Sequence, residues 1–238
     1  MGHQSFFIWN GRDSRAAGLK LAGPAPIIRG EERVNHVAIP GRAGELTLTE
    51  GDDVFQSYIQ TVTIEVSGGF RVREILDWLK GNGVVTFSGE PDRQQNARII
   101  GAITLNKHSR NSDWWVGEVQ FYCEPLKQLI TEQKVTITAS GSAVMNTGDV
   151  KSKPVITATA SAASMTITAG GRTLEVTGLT SGNNYIIDCD AEMVMSADET
   201  ENLTANSSGK FPVLDTGNNT ITGSGWSSLV IDRRQRFL

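Results

Sequence analysis

The sequence predicts a mainly β protein: a β-rich N-terminal domain with one packed helix and an extended hairpin, followed by an antiparallel β-sandwich. Three observations support this fold class. Apolar and polar residues alternate with a period of two along most of the chain, as in strands with one buried face. Only one stretch, residues 71–83, has the spacing of an amphipathic helix. In the C-terminal half, short alternating runs recur at spacings of about eight to twelve residues between turn sequences.

The composition is that of a folded protein. The chain has 238 residues, of which 39% are hydrophobic and 20% charged, and its net charge is −4. The negative balance gives no electrostatic reason to bind nucleic acid, because neutralising phosphates requires clustered lysines and arginines. No stretch approaches the roughly 20 apolar residues of a membrane-spanning helix, so we expect no membrane insertion. The N-terminal residues lack the pattern of a secretory signal, so we expect synthesis in the cytoplasm.

A change in composition divides the chain. Four of the five tryptophans lie in the first 130 residues, whereas the remainder is rich in serine and threonine. We predict an N-terminal domain over residues 1–135 and a C-terminal domain over residues 154–238. Residues 136–153 are small and polar and precede a proline, which is typical of a linker.

The predicted hairpin covers residues 45–66, which read ELTLTEGDDVFQSYIQTVTIEV. Two alternating runs flank a polar tip, and Gly41, Arg42 and Gly44 precede the first run as a hinge at its base, where glycine allows a sharp turn. From the pattern alone, an ordinary hairpin within one sheet is the favoured interpretation. The alternative is a projecting hairpin that contacts another copy of the chain.

The remaining elements of the N-terminal domain follow in order. The helical stripe over residues 71–83 consists of Val72, Ile75, Leu76 and Leu79. Further strands are predicted over residues 84–88, 97–106 and 114–123. In the last of these, one face consists of Trp115, Val119, Phe121 and Cys123. Gly117 indicates a bulge or a close approach of another backbone.

The C-terminal domain is predicted from strands alone. KPVITATA and SMTITA alternate, and Gly170-Gly171 connects SMTITA to RTLEVTG in the manner of a two-residue hairpin turn. NNYIIDCD and SSLVIDRR supply further strands. Threonine is frequent in these runs because its branched side chain packs well on a pleated surface.

Few residues suggest chemistry. His3, His36 and His108 are far from one another and from the cysteines in sequence. The chain has no glycine-rich phosphate loop and no nucleophile motif of the known kinds. We therefore predict no enzyme activity, no catalytic residue, no metal site and no cofactor.

Two acidic clusters could bind a cation. Asp52 and Asp53 lack the spacing of a calcium loop, so a solvated hairpin tip is the favoured interpretation. Alternation places Asp188, Asp190 and Glu192 on one strand face, where carboxylates repel one another unless they are solvated, paired or bound to a cation. The solvated or paired state is favoured over a metal site.

A carbohydrate-binding β-sandwich is the main alternative function. Tyr185 and Trp226 are its candidate aromatic platform, although burial between the sheets is favoured for both. A hydrolase is a distant third, because it would need paired carboxylates in a cleft. Cys123 and Cys189 are predicted to be buried, reduced thiols.

Several segments occur in an order that resembles a known family. They are IPGRAGELTLTEGDDVFQSYIQTVTIEV, REILDWL, WWVGEVQFYCEP, YIIDCDAEMV and FPVLDTGNN. Gly41-Arg42 with Gly44 resembles the start of the family's ring-forming segment, and FYCEP resembles the strand that closes its first domain. Over nearly its whole length, the chain resembles the distal tail proteins of bacteriophages with long, non-contractile tails and of related prophages.

The resemblance implies a structural role in the virion tail. Six copies are expected to form a ring through their first domains, and the second domain is expected to be galectin-like. The ring would join the tail tube protein to the tail-tip protein, anchor receptor-binding proteins and let DNA pass through its channel without specific binding.

With this resemblance, the projecting hairpin becomes the favoured interpretation. A hairpin of this kind can reach a neighbour and pair with it by sheet augmentation. The expected contacts between subunits are Gly41, Arg42, Gly44, Leu46, Leu48, Asp52 and Asp53.

Overall fold

The structure is a computed structural model that describes residues 5–49, 51 and 53–238, apart from the side chain of Phe70. The chain divides into two compact units between Ile130 and Thr131, and Leu238 belongs to the first unit. Nearly all of the regular secondary structure is antiparallel β-sheet, so the predicted fold class is confirmed. No helix among the described residues is long and apolar enough to cross a membrane.

The first unit contains eleven strands and one helix, α1 (Gly69–Trp78). The strands are β1 (Phe7–Trp9), β2 (Arg12–Asp13), β3 (Leu19–Leu21), β4 (Val34–Ala38), β5 (Glu45–Thr49), β6 (Tyr58–Ser67), β7 (Asn82–Phe87), β8 (Arg93–Ile100), β9 (Leu105–Lys107), β10 (Trp114–Cys123) and β11 (Lys127–Leu129). All but β4 and β5 belong to one antiparallel sheet with the order β2-β1-β7-β8-β10-β6-β3, in which β9 also pairs with β10 and β11 with β8.

One face of this sheet holds the core of the first unit. Along β10, Val119, Phe121 and Cys123 are buried whereas the residues between them are exposed, as the alternation predicts. The ring of Phe121 lies 5.4–5.6 Å from the rings of Phe7, Trp9 and Phe87, each in an edge-to-face arrangement. Such pairs stabilise a core by about 0.5–1.5 kcal/mol beyond the area that they bury.

The helix is shorter than predicted. It ends at Trp78, and residues 82–83 belong to β7 because they pair with β8. Ile75 and Leu79 are buried, but 36% of Leu76 is exposed, so the prediction that Leu76 lies in the buried stripe is wrong. Adjacent residues in a helix point about 100° apart. Because the side chain of Ile75 points into the core, that of Leu76 points to the side of the helix and is partly exposed.

Two glycines shape the middle of the sheet. The strand predicted over residues 97–106 is divided at Gly101, whose φ of 72° ends β8. As a result, β8 and β9 pair with different parts of β10. The close approach predicted at Gly117 is confirmed, since a Cβ atom there would collide with the carbonyl oxygen of Thr104.

The second unit is a sandwich of two five-stranded antiparallel sheets. The strands of these sheets are β12 (Val135–Ile137), β13 (Ser142–Asn146), β14 (Val155–Ala160), β15 (Ser164–Ala169), β16 (Arg172–Thr177), β17 (Asn184–Asp188), β18 (Met193–Ser196), β19 (Ser207–Gly209), β20 (Gly217–Ser224) and β21 (Trp226–Asp232). The short β22 (Arg236–Phe237) belongs to neither sheet, and a 3₁₀ helix covers Thr204–Asn206. The sheets have the orders β12-β21-β14-β17-β18 and β13-β20-β15-β16-β19. Their facing apolar residues form one buried cluster.

The segment predicted as a linker, residues 136–153, is instead part of this sandwich. β12 pairs with β21 and β13 pairs with β20, and Ile137 and Val144 are buried in the core. Small residues around these two side chains conceal the alternation in the sequence. The turn predicted at Gly170 and Gly171 is confirmed by their positive φ angles of 56° and 69°.

Both cysteines are buried and neither forms a disulfide, as predicted. Cys123 lies at the end of β10 in the core of the first unit. Cys189 follows β17 in the core of the second unit.

We predict that Gly117→Ala destabilises the first unit by about 1–3 kcal/mol, because the added methyl group overlaps backbone atoms that are fixed by sheet pairing. The free energy of unfolding from chemical denaturation measures the effect. Gly23→Ala is the matched control, since a Cβ atom at Gly23 has no neighbour within 4 Å. Equal stability of the two variants would contradict the close approach at Gly117.

Candidate self-association surface

β4 and β5 form a two-stranded ribbon, residues 34–49, whose turn is made by residues 39–44. The pairing runs from Val34 opposite Thr49 to Ala38 opposite Glu45. The predicted hairpin over residues 45–66 is therefore wrong in its partner strand: β5 pairs with β4, whereas β6 pairs with β10 and β3. The alternate buried residues of β6 place it inside the sheet, which leaves β5 to pair with the strand before it.

Gly41, Arg42 and Gly44 lie in the turn at the tip of the ribbon and not at its base. Gly41 and Gly44 have φ angles of 81° and 84°, which glycine adopts at little cost. The N–H of Arg42 donates to the carbonyl oxygen of Ile39 at 3.1 Å and closes the turn. The Arg42 side chain is exposed at the tip.

The ribbon has one apolar face. Its register places Val37 opposite Leu46 and Asn35 opposite Leu48, so these four residues share a face. The exposed fractions of Val37, Leu46 and Leu48 are 43%, 37% and 47%. Ile39, at the start of the turn, is also exposed. The described part of the first unit therefore leaves an apolar surface in water.

The opposite face of the ribbon is polar. His36 Nδ1 lies 3.2 Å from Thr47 Oγ1 and 3.8 Å from a carboxylate oxygen of Glu45. These contacts occur within the ribbon and are exposed to solvent, so this face needs no further partner. The contrast between the faces indicates which side of the ribbon is suited to bind another protein.

Two backbone hydrogen bonds join the ribbon to the sheet through a stalk, formed by residues 31–33 and 54–56. The N–H of Arg33 donates to the carbonyl oxygen of Val54 at 2.9 Å, and the N–H of Gln56 donates to that of Glu31 at 2.7 Å. The stalk continues directly into β6 on one side. The ribbon thus emerges from the central sheet as an extension of one of its longest strands.

Buried polar side chains fix the other side of the stalk. Residues 22–30, here called the strap, lead from β3 to the stalk. The nearly buried Lys127 donates from Nζ to the carbonyl oxygen of Ile28 at 3.0 Å and pairs with Glu90 at 2.5 Å. Gln60, which is 2% exposed, donates from Nε2 to the carbonyl oxygen of Pro26 at 2.8 Å. These bonds attach the strap to β6 and β11.

The structure brings five of the seven predicted contact residues together on the ribbon, namely Gly41, Arg42, Gly44, Leu46 and Leu48. Asp53 lies between β5 and the stalk, with a φ of 61°, and Asp52 lies outside the described residues. Val37 and Ile39 were not predicted. Their alternation in the segment NHVAI, at the same spacing as in ELTLT, is the signal that identifies them.

Both residues of the candidate aromatic platform are buried, so the favoured interpretation of Tyr185 and Trp226 as core residues is confirmed and the platform of the alternative function is not formed. Tyr185 is 4% exposed, and its hydroxyl accepts a hydrogen bond from the N–H of Thr180 at 2.8 Å. Trp226 is 8% exposed and donates from Nε1 to the carbonyl oxygen of Thr166 at 3.2 Å. Sandwiches bury large rings between their sheets, and neither ring has a free face for a sugar.

The acidic cluster after β17 is held by cationic partners. Asp188 pairs with Arg234 at 3.2 Å, and Asp190 pairs with Lys153 at 3.1 Å and with Arg236 at 3.0 Å. These contacts support the paired interpretation. The single strand face that was predicted does not extend to Glu192, because β17 ends at Asp188 and Glu192 has a φ of 53°. Among the described residues, no group of three or more histidine, cysteine and acidic side chains could hold a metal ion.

Hydrogen bonds lower the pKa of Asp188. Partial burial raises this pKa, but the N–H groups of Ala191 and Asp190 and the Arg234 guanidinium lower it by more, so it lies below its usual value. The contribution of Asp188 to stability is therefore present above the pKa of about 3.9 of an unfolded aspartate. It is lost as the pH falls through the lower pKa of the folded state.

We predict that Asp188→Asn lowers the free energy of unfolding of the second unit at neutral pH by about 1 kcal/mol, since it removes the charge that strengthens the hydrogen bonds from the Asp190 and Ala191 N–H groups and pairs with Arg234. The difference from the wild type should be constant above about pH 5 and should shrink below about pH 4. Chemical denaturation at several pH values measures it. The exposed Glu192, changed to Gln, is the control, and a pH-independent difference for Asp188→Asn would contradict the ionic contribution.

We predict that Lys127→Met loosens the strap and the ribbon while the sheet stays folded. The substitution removes the bond to Ile28, and Glu90 keeps its contact with Arg93 at 2.8 Å. The free energy of unfolding should fall by about 1–3 kcal/mol. Relative to the wild type, the exchange of backbone amides should speed up more in residues 22–49 than in β10. Lys80→Met, at an exposed lysine of the same unit, is the matched control. Unchanged exchange in the ribbon would show that Lys127 does not fix it.

No protein-family model and no curated protein matches this sequence. The fold is nevertheless similar to the crystal structure of the Dit protein (gp 19.1) of phage SPP1, which is described as a paradigm of the hub adsorption apparatus in phages that infect Gram-positive bacteria. The two chains have a TM-score of 0.81 and 18% sequence identity, and the match covers 99% of this chain and 100% of that one. The resemblance predicted from the sequence is thus confirmed in the fold, which the two proteins share over their full length.

Proposed function

We propose that this chain is a structural hub protein of a phage tail, which assembles with copies of itself through its first unit. The similarity to a phage hub protein extends over both units and covers 99% of this chain and 100% of the other, which supports a shared architecture of assembly. In this proposal the protein has a structural and not a catalytic role.

The observation that carries the proposal is the apolar face of the ribbon. Val37, Ile39, Leu46 and Leu48 are exposed on a projection whose origin is fixed by Lys127 and Gln60. Exposed apolar patches rimmed by polar residues mark binding surfaces. A two-stranded ribbon is also only marginally stable in water unless it packs against something else.

A ring follows if the ribbon of each copy binds the neighbouring copy at a surface other than that neighbour's own ribbon. Contacts of this heterologous kind close into a ring when the rotation between copies divides a full turn. We propose a homohexamer, the number that the resemblance implies. The ring would join the tail tube protein to the tail-tip protein and anchor receptor-binding proteins, in a virion tail assembled in the bacterial cytoplasm.

The proposed ring encloses a channel through which DNA passes without specific binding. The net charge of −4 supports this part of the proposal, since six copies would carry a negative charge of about −24 in total (6 × −4). A protein with this balance does not attract phosphate over long distances, because electrostatic attraction follows the summed charge.

We expect the purified chain to form six-fold rings near its assembly concentration, seen by negative-stain microscopy, with a matching mass from light scattering. The double variant Leu46→Glu, Leu48→Glu should stay monomeric, because the charges would be buried in the contact. Its monomer should be as stable as the wild type within about 0.5 kcal/mol, since both side chains are exposed.

Thr47→Glu is the matched control. Thr47 lies between the two leucines in sequence but on the polar face of the ribbon, so this variant should assemble like the wild type. A wild-type chain that remains monomeric at high concentration would contradict the proposed function. Equal assembly of all three proteins would show that the ribbon is not the contact.

A further inference from the structure

The two edges of β6 are paired very differently. On one edge, β10 pairs with β6 along its entire length, from Tyr58 opposite Cys123 to Ser67 opposite Trp114. On the other edge, β3 covers only residues 64–66, and the N–H of Ala22 extends the pairing by one bond to the carbonyl oxygen of Thr63.

The backbone groups of alternate residues point to opposite edges of an antiparallel strand. Since the carbonyl of Thr63 points away from β10, the N–H and C=O groups of Ile59 and Thr61 do so as well. In the stalk, the carbonyl of Val54 and the N–H of Gln56 bond to the strand over residues 31–33. The intervening Phe55, and Ser57 after it, therefore face the same edge as Ile59 and Thr61.

This stretch, residues 55–61, is called the open edge below. Among the described residues, no backbone hydrogen bond occupies it. The strap does not cover it either. Gln60 points into the core and binds Pro26 there, so the strap crosses the buried face of the sheet, while 52% of Ile59 is exposed.

The open edge lacks the features that protect edge strands from pairing. Natural edges are shortened, bulged or given lysines, other charges or prolines. The open edge reads FQSYIQT and contains no charged residue and no proline. It spans about 23 Å at 3.3 Å per residue. A stretch of this length and composition is suited to pair with another strand.

The ribbon of the same chain is not suited to fill it. That ribbon leaves through the pairing of residues 31–33 with residues 54–56, which uses the opposite edge of the stalk. To reach the open edge, it would have to break both hydrogen bonds of the stalk. The ribbon of a second copy has no such restriction.

We infer that the open edge of β6 binds the ribbon of a neighbouring copy by sheet augmentation. This inference rests on the proposed function and names the surface that receives the ribbon. Each strand of the ribbon has five residues and an outer edge that pairs with no other described strand, so it matches the open edge in length. Side chains on the same face of two paired strands are neighbours. The apolar side chains of the bound ribbon would therefore lie next to the exposed side chain of Ile59.

Every copy then carries one donor, the ribbon, and one acceptor, the open edge. Because donor and acceptor are different surfaces, each copy binds two neighbours in the same sense around the assembly. The main-chain hydrogen bonds provide affinity, and the apolar face of the ribbon determines the orientation in which the ribbon binds.

Hydrogen exchange resolved by residue tests the inference on the full chain. In the monomer, the amides of Gln60 and Val62 are protected by β10 whereas those of Ile59 and Thr61 exchange freely. In the assembled state, we expect the exchange of the Ile59 and Thr61 amides to slow by at least about 100-fold. A surface contact on the face of the sheet would not produce this alternation.

Ile59→Lys should weaken assembly by at least about tenfold in concentration, since lysine on an edge opposes strand addition. Tyr122→Lys is the matched control. Tyr122 lies opposite Ile59 on β10 and is exposed to 46%, but it belongs to a central strand. We expect this control to assemble with an affinity close to that of the wild type.

The failures are distinguishable. Assembly without slower exchange at Ile59 and Thr61, or equal weakening by both lysine variants, would overturn the open edge and leave the proposed ring intact. A wild-type chain that stays monomeric at high concentration would overturn the proposed function, and the open edge with it.

Discussion

Ten consecutive residue pairs join β6 to β10, and this pairing determines most of the first unit. It fixes which side chains of both strands enter the core, where Phe121 meets Phe7, Trp9 and Phe87. It also occupies one edge of β6 completely. β5 does not pair with β6, the strand that follows it, and forms the ribbon with β4 instead.

The ribbon is useful for assembly only if its direction is defined. A long stretch of strand pairing at its base would define the direction of the ribbon, but the stalk has only two backbone hydrogen bonds. Lys127 and Gln60 add bonds from inside the unit to the carbonyls of the strap. Burying a lysine is costly unless it is paired and hydrogen-bonded, and Glu90 together with the Ile28 carbonyl meets that condition. Such a group favours one arrangement of the strap over others, because moving the Ile28 carbonyl away would remove a hydrogen-bond partner of the buried ammonium group.

Sequence patterns predicted the elements more accurately than their partners. The alternation in β6, β10, β14 and β15 identified the strands and their buried faces, because burial of one face is a local property of each strand. Pairing is not local. The two alternating runs of segment 45–66 are adjacent in sequence, which predicts a hairpin. Nothing in the segment itself indicates that β6 pairs with β10 and β5 with β4.

Other errors have similar causes. Residues 136–153 looked like a linker because β12 and β13 contribute only Ile137 and Val144 to the core among many small residues. Of the candidate contacts, Leu46 and Leu48 were predicted from alternation, and the same alternation in NHVAI marks Val37 and Ile39 as apolar positions. Only the pairing of β4 with β5 shows that Val37 lies on the same face as the two leucines. Lys127 could not be predicted from its surroundings in the sequence, since nothing distinguishes a buried lysine from an exposed one until the strap is in place.

The burial of the two cysteines has a consequence for a protein that is proposed to leave the cell within a particle. Burial raises the pKa of Cys123 and of Cys189 to about 12, so that almost none of either thiol is in the thiolate form that reacts with oxidants. In the folded protein, neither thiol is therefore poised to form a disulfide with another molecule.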